Sequence, residues 1–278
     1  MIASLQITAL IENHSLRSDL FAEHGLSLWV QADGFSFLFD VGQSGAFIAN
    51  ARVLGIPLEK ADAIVLSHGH YDHTGGLAFL AGDGGPGRIC LHPAAVLPRY
   101  RRNESSPHKF VGMPAASAAF VDRRGSHVIW TSAATWLSGG IGITGTIRRT
   151  IDFEDAGNPF FLDLECATPD LIPDDQAVWV ETEKGIVVLC GCAHAGVVNT
   201  LEQVRRETGN GLIHAVVGGL HLRGAGRDRI VRTVEALNRF GVRRLAAGHC
   251  TGEEAQACFA ECFEGVLEPL SAGSVWDL

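Results

Sequence analysis

The sequence predicts an α/β sandwich, two β-rich halves face to face with helices on their outer surfaces. Three observations carry that reading. Short apolar strands open the chain in a hairpin pattern. A second hairpin follows an irregular middle stretch. Alternating helix and strand segments then run almost to the end.

Taken in order, Leu5–Ile11, Leu26–Gln31 and Phe35–Asp40 are runs rich in apolar, β-branched and aromatic residues, and Ala32-Asp33-Gly34 signals a hairpin turn between the last two. Gln43–Leu54 has helical spacing and ends at Gly55-Ile56-Pro57. The apolar run Ala63-Ile64-Val65-Leu66 reads as a buried strand entering Ser67. Leu77–Leu80 opens a helix that stops in the glycine-rich turn 82–87, and Arg88–Leu91 is a strand ending at His92-Pro93. Residues 93–174 carry, after Pro93, six more prolines (98, 107, 114, 159, 169 and 173) and read as an irregular, substrate-covering insertion within a single domain, 1–278. Ala177–Thr182 and Ile186–Cys190 form the second hairpin across Glu183-Lys184-Gly185. Helix Val197–Glu207, strand Leu212–Val217, helix Arg227–Phe240, strand Arg244–Ala247 and helix Glu253–Phe263 complete the series.

A chain of 278 residues, 46% hydrophobic, can bury an ample core. Its mean hydropathy is +0.16, and no apolar run reaches the ~18 residues that span a bilayer. Met1–Gln6 lacks a basic leader region and reads as the start of a strand, so a cytoplasmic location without a membrane partner is expected. The net charge of −9 argues against a nucleic-acid partner. One local exception is basic. Arg99, Arg101, Arg102, Lys109, Arg123 and Arg124 outweigh Glu104 and Asp122, a local balance of +4 that is either a solvated loop or a landing site for an anion. The seven cysteines include no C-x₂-C pair, which disfavours a structural zinc ribbon and favours reduced thiols. A homo-oligomer is compatible with the sequence.

Chemistry concentrates in Ser67-His68-Gly69-His70-Tyr71-Asp72-His73. Three imidazoles and a carboxylate at the end of a buried strand suit a divalent metal: zinc first, with manganese or iron as alternatives. Core histidines occur singly, and four such groups would be costly to bury without a partner. His194, His221 and His249 share one setting, the end of an apolar strand beside glycine. Asp40, at the end of Phe37-Leu38-Phe39, is placed to orient a ligand imidazole, or alternatively to form a turn before Gly42. Cys192 and Cys250 lie beside candidate histidines and suit supporting positions around the ligands.

These elements, Phe39-Asp40-Val41-Gly42, the 67–73 cluster, Cys190-Gly191-Cys192-Ala193-His194 and Gly248-His249, resemble the metallo-β-lactamase superfamily in order and across the chain. The resemblance implies a four-layer αβ/βα sandwich with a metal site at one edge. It implies two divalent ions, one held by His68, His70 and His194, the other by Asp72, His73 and His249. Most members place a bridging Asp where this chain has His221, which becomes a candidate ligand of the second ion. Asp72 would also orient the nucleophile. A narrower likeness, through His24-Gly25-Leu26-Ser27, 149–154, 174–177, 191–199, 218–222 and 248–252, is to the branch of the 7,8-dihydropterin-6-methyl-4-(β-D-ribofuranosyl)aminobenzene-5′-phosphate synthases. Three functions are thereby expected in descending order. The first is hydrolysis of an anionic, phosphorylated small molecule, held in part by Arg148 and Arg149. The second is dihydropterin transfer. The third is non-catalytic binding of a ligand by a metal-stabilised protein.

Overall fold

The computed structural model describes residues 1–80, 87–103, 108–154, 159–209 and 211–278. Two seven-stranded sheets carry the architecture. From edge to edge the first is β17 (Val275–Asp277), β1 (Leu5–Ile11), β2 (Ser27–Ala32), β3 (Phe35–Phe39), β4 (Ala63–Val65), β5 (Arg88–Leu91) and β8 (Val128–Trp130). The second is β16 (Val266–Leu267), β15 (Arg244–Gly248), β14 (Ile213–Gly219), β13 (Gly185–Cys190), β12 (Ala177–Thr182), β10 (Ile141–Ile143) and β9 (Thr135–Ser138). A small third sheet joins β11 (Phe160–Phe161), β6 (Tyr100–Arg101) and β7 (Lys109–Phe110). The helices are α1 (Ala46–Leu54), α2 (Tyr71–Thr74), α3 (Ala115–Arg124), α4 (Val197–Glu207), α5 (Arg227–Arg239) and α6 (Glu253–Cys262).

Side-chain alternation explains the layering. Successive strand residues point to opposite faces, so a strand buried on both sides must be apolar at every position. Leu28, Phe37 and Val65 face Val178, Val187 and Leu189 across the gap between the sheets. Their neighbours Trp29, Leu38 and Ile64 pack outward against Phe47 and Ala51 of α1 and Phe120 and Val121 of α3. On the other side, Trp179, Val188 and Val216 meet Leu201 of α4, Val234 and Leu237 of α5 and Phe259 of α6. Three apolar interfaces therefore separate four layers, helix–sheet–sheet–helix. Each large side chain so buried contributes about 1.5–3 kcal/mol.

The turn at Asp33-Gly34 has positive φ at both residues, +46° and +88°, the twist a two-residue hairpin requires. β3, β4, β5 and β8 run parallel, as do β13, β14, β15 and β16. Parallelism brings the C-terminal ends of several strands to one edge of each sheet, and the two edges meet there.

Two segments differ from expectation. The helix anticipated from Leu77 is replaced by the short α2 and a 3₁₀ turn at Gly75–Phe79; the turn expected at 82–87 lies, but for Gly87, outside the described residues. The proline-rich stretch 93–174 supplies edge strands β8 and β9, strand β10 beside β9, and outer helix α3 to the framework, and the small sheet besides. No helix among the described residues is long and apolar enough to cross a membrane.

Candidate metal centre

Strand ends deliver the chemistry. His68 and His70 follow β4; Asp72 and His73 sit in α2; His194, His221 and His249 follow β13, β14 and β15. Sharp turns put them there. Asp40, Ala193, His221 and His249 all take positive φ, between +48° and +59°, a conformation that costs a non-glycine residue about 1–2 kcal/mol. A buried ion pair braces the first loop. The Asp174 carboxylate accepts from the Gly69 amide at 2.7 Å and pairs with the Arg99 guanidinium, whose Nε donates to Asp170 at 2.6 Å.

Three imidazoles are held by the nitrogen that points away from the cluster. Asp40 accepts from Ser67 N, from Ser67 Oγ and from His73 Nδ1, each at 2.7 Å. Ser67 Oγ, its own proton given to Asp40, accepts from His68 Nδ1 at 2.9 Å. Asn13 Oδ1 holds His249 Nδ1 at 3.1 Å. Each arrangement fixes a tautomer and leaves an Nε2 lone pair facing inward.

Inward-facing atoms crowd together. His68 Nε2 lies 2.9 Å from His70 Nδ1, and His73 Nε2 lies 3.1 Å from His249 Nε2 and 3.2 Å from Cys192 Sγ. Asp72 Oδ2 is 3.4 Å from His249 Nε2, 3.6 Å from His73 Nε2 and 3.2 Å from His24 Nε2. The His194 ring sits 4.8 Å from His68, 4.9 Å from His70 and 4.2 Å from His221, centroid to centroid. Nitrogens on one tetrahedral zinc ion, each about 2.0–2.1 Å from it, lie about 3.3 Å apart. Donor spacing here matches such polyhedron edges. His70 Nε2, both nitrogens of His194 and His221 Nδ1 are buried with no protein partner. Buried polar atoms are ordinarily paired, so four orphans at one spot fit a bound cation.

Charge agrees with that fit. Burial drives His68, His70 and His194 well below the usual imidazole range, which keeps their lone pairs available. Burial opposes ionisation of Asp72, but His73, with His24 and His249, outweighs it and holds the carboxyl well below its usual range. His73 is the exception: against the effect of burial, Asp40 and Asp72 raise it to about 9, so in the metal-free protein it carries a second proton that a bound ion would displace.

The cluster floors a cavity of about 310 Å³, walled by Arg101, Lys109 and Phe160 of the small sheet, with Tyr71 and Arg223. A second cavity, about 450 Å³, shares only His249 and Arg223 with it and holds none of the other clustered imidazoles.

The family model for the metallo-beta-lactamase superfamily matches residues 21–249. The chain belongs to the metallo-beta-lactamase superfamily. It is 28% identical to a 7,8-dihydropterin-6-methyl-4-(beta-D-ribofuranosyl)-aminobenzene-5′-phosphate synthase of Methanocaldococcus jannaschii, covering 99% of this chain and 97% of that protein. An uncharacterized protein of the same archaeon is 27% identical over 90% of this chain and 91% of its own length. Among solved structures, the chain is similar to Tm1679, described as a metal-dependent hydrolase of the beta-lactamase superfamily, at 31% identity and TM-score 0.83 over 99% of both chains. YhfI of Bacillus subtilis, at 15% identity and TM-score 0.59 over 99% of this chain and all of that one, shares the fold.

Within this superfamily site the structure brings together His68, His70, Asp72, His73, His194, His221 and His249, with Asp40 behind His73 and Ser67. Three expectations need correction. Cys192, expected behind the candidate ligands, lies level with their donor atoms: its sulfur falls within 4.8 Å of such atoms in three separate groups. His221, expected with Asp72 and His73, instead groups with Cys192 and Cys250 and leans on His194. Arg148 and Arg149 are exposed and do not line the cavity; Arg149 donates to the Leu171 carbonyl at 2.6 Å and flanks Asp175 and Glu154. Of the basic patch, Arg99 is wholly buried in its ion pairs, while Arg101 and Lys109 reach the cavity; Glu104 lies outside the described residues.

His24 was the residue least visible in sequence. It stacks on His249 with ring centroids 5.1 Å apart, yet it precedes its strand instead of ending one. Its signal is the adjacent Gly25, where φ is +152° and a Cβ would press on the Asp72 carbonyl.

Proposed function

We propose that this protein is a metal-dependent enzyme that hydrolyses a phosphorylated, anionic small molecule. The observation that supports this most directly is the set of orphaned imidazole nitrogens flooring a cavity walled by cations. His68, His70 and His194 would hold one divalent ion and Asp72, His73 and His249 a second. The nitrogen-rich donors suit zinc, with manganese or iron(II) as alternatives. When bound, such ions supply a Lewis acid for a phosphoryl oxygen and bring the pKa of water towards ~7.

The chain's own residues do the rest. Ionised Asp72 accepts a hydrogen bond from the attacking water at the cavity floor and so orients it, and His24 beside it fixes the carboxylate. Arg101 and Lys109 hold the phosphate from the small sheet, Arg101 by paired N–H donors and Lys109 as a point charge. Phe160 and Tyr71 exclude water from the opposite side of the substrate.

Identity to the archaeal synthase along nearly the whole chain favours a second reading, transfer of a dihydropterin to an aminobenzene ribosyl phosphate. Here the same cationic wall would hold a leaving diphosphate. One experiment separates the readings. Protein of measured metal content is incubated with phosphomonoesters and diesters, and in parallel with both synthase substrates. Metal-dependent phosphate release supports the hydrolase. Coupled pterin product with diphosphate released and no orthophosphate supports the synthase. Tight ligand binding with neither product sinks both and leaves a binding protein.

A further inference from the structure

We propose that the Cys192 sulfur is a metal ligand shared by the two ions, making this centre a mixed nitrogen–sulfur site. The inference rests on the metal-centre reading and goes beyond it. Cys192 Sγ lies within 4.8 Å of donor atoms of His68 and His194, of His73 and His249, and of His221 and Cys250. No other residue belongs to three of these groups among the described residues. Its 3.2 Å approach to His73 Nε2 is close to the roughly 3.5 Å between a sulfur and a nitrogen held by one tetrahedral zinc ion.

Comparison within the chain separates Cys192 from an ordinary buried thiol. Cys90 and Cys190 sit inside the hydrophobic clusters between and behind the sheets. Cys166, Cys192 and Cys250 are also buried but belong to none of the hydrophobic clusters, and of these Cys192 and Cys250 fall in the donor groups. Imidazoles surround Cys192 instead, including His194, which is 3% exposed and has both nitrogens unpartnered.

Charge supplies the second reason. Six imidazoles bring no negative charge to two divalent ions, and Asp72 is the one carboxylate in the four donor groups. Asp40 is already committed to Ser67 and His73. A thiolate placed centrally adds the missing charge. Its proton leaves for solvent when the ion binds, so the sulfur–hydrogen bond is exchanged for sulfur–metal bonds with no change in oxidation state. Such a donor set selects borderline-soft ions (zinc, cobalt(II), iron(II)) over magnesium or calcium.

Cobalt and zinc serve as probes. Protein loaded with two equivalents of cobalt(II) is expected to show a near-ultraviolet thiolate-to-cobalt charge-transfer band. Cys250→Ser should keep that band. Cys192→Ser should lose it and bind cobalt at least tenfold more weakly. Should Cys192→Ser fail to fold, zinc-edge X-ray absorption of the Cys250→Ser protein decides: about one sulfur per zinc at about 2.3 Å is expected. Bound metal with no sulfur, about half a sulfur per zinc, or a band removed only by Cys250→Ser overturns the shared-ligand proposal and leaves the metal-centre reading standing. Failure to take up either ion overturns both.

Discussion

Asp40 shows how one side chain can organise several others. Its carboxylate carries the Ser67 amide, the Ser67 hydroxyl and the His73 ring, and through Ser67 it also sets His68. Asp40→Asn keeps the shape and removes an acceptor, so it should weaken metal binding roughly 10–100-fold in a chelator competition. Unchanged affinity would refute the role. Protonation gives a second check in the metal-free protein. His68, His70 and His194 are depressed below the usual 6.5, so their contribution to stability is lost as pH falls below that value. His73 is raised from 6.5 to about 9, so its contribution is present below 6.5 and lost as pH rises through about 9. Urea unfolding of chelated protein should therefore give a stability maximum near pH 6.5; a monotonic profile would contradict the assignment. At this scale the residues that cluster were legible in the sequence, because His68–His73 is contiguous and His194, His221 and His249 each end an apolar run. The position of Cys192 was not disclosed. Its depth among three donor groups depends on how β13 abuts the 67–73 loop, which no local pattern records.

Elements hold those side chains still. The loop carrying His68 and His70 is pinned where a Cβ on Gly69 would strike the Ala95 carbonyl and the Arg99 guanidinium. Arg99 is fully buried between Asp170 and Asp174. Breaking a buried pair by removing one partner leaves uncompensated charge, so Arg99→Ala should cost about 3–5 kcal/mol in denaturant unfolding. A loss below about 1 kcal/mol would show that the brace is dispensable. Strands β1 to β5 and β12 to β15 were legible because their alternation and turns are local. The stretch 93–174 was not. Its strands β8, β9 and β10 are three to four residues long and extend the margins of the two large sheets, and β6 and β11 pair across more than fifty residues. Arginines at 148 and 149 looked apt for the same reason they misled: charge is visible in sequence, whereas the direction in which an irregular segment presents it is not.

Across the whole molecule, a net charge of −9 coexists with a cavity walled by Arg101, Lys109 and Arg223. Local field wins over net charge at distances shorter than the ~8 Å screening length of physiological salt. An anionic substrate should therefore bind more weakly as salt rises, opposite to what the net charge alone would give. Arg101→Ala should raise KM roughly ten- to hundredfold, the loss of a charge-assisted hydrogen bond. Steady-state kinetics across a salt series tests both, and a KM that falls with salt would remove the cationic wall from the binding site.

Under the proposed metal reading, donors for one ion stand on both halves of the sandwich; His73 and His249 are 176 positions apart in the chain. A bound ion would therefore be a rivet between halves, its lifetime tied to theirs. Release should be governed by the rate at which the sheet edges part, so it should level off as chelator concentration increases. Measured against time, loss of metal and amide exchange at the ends of β4 and β15 should then share one rate constant.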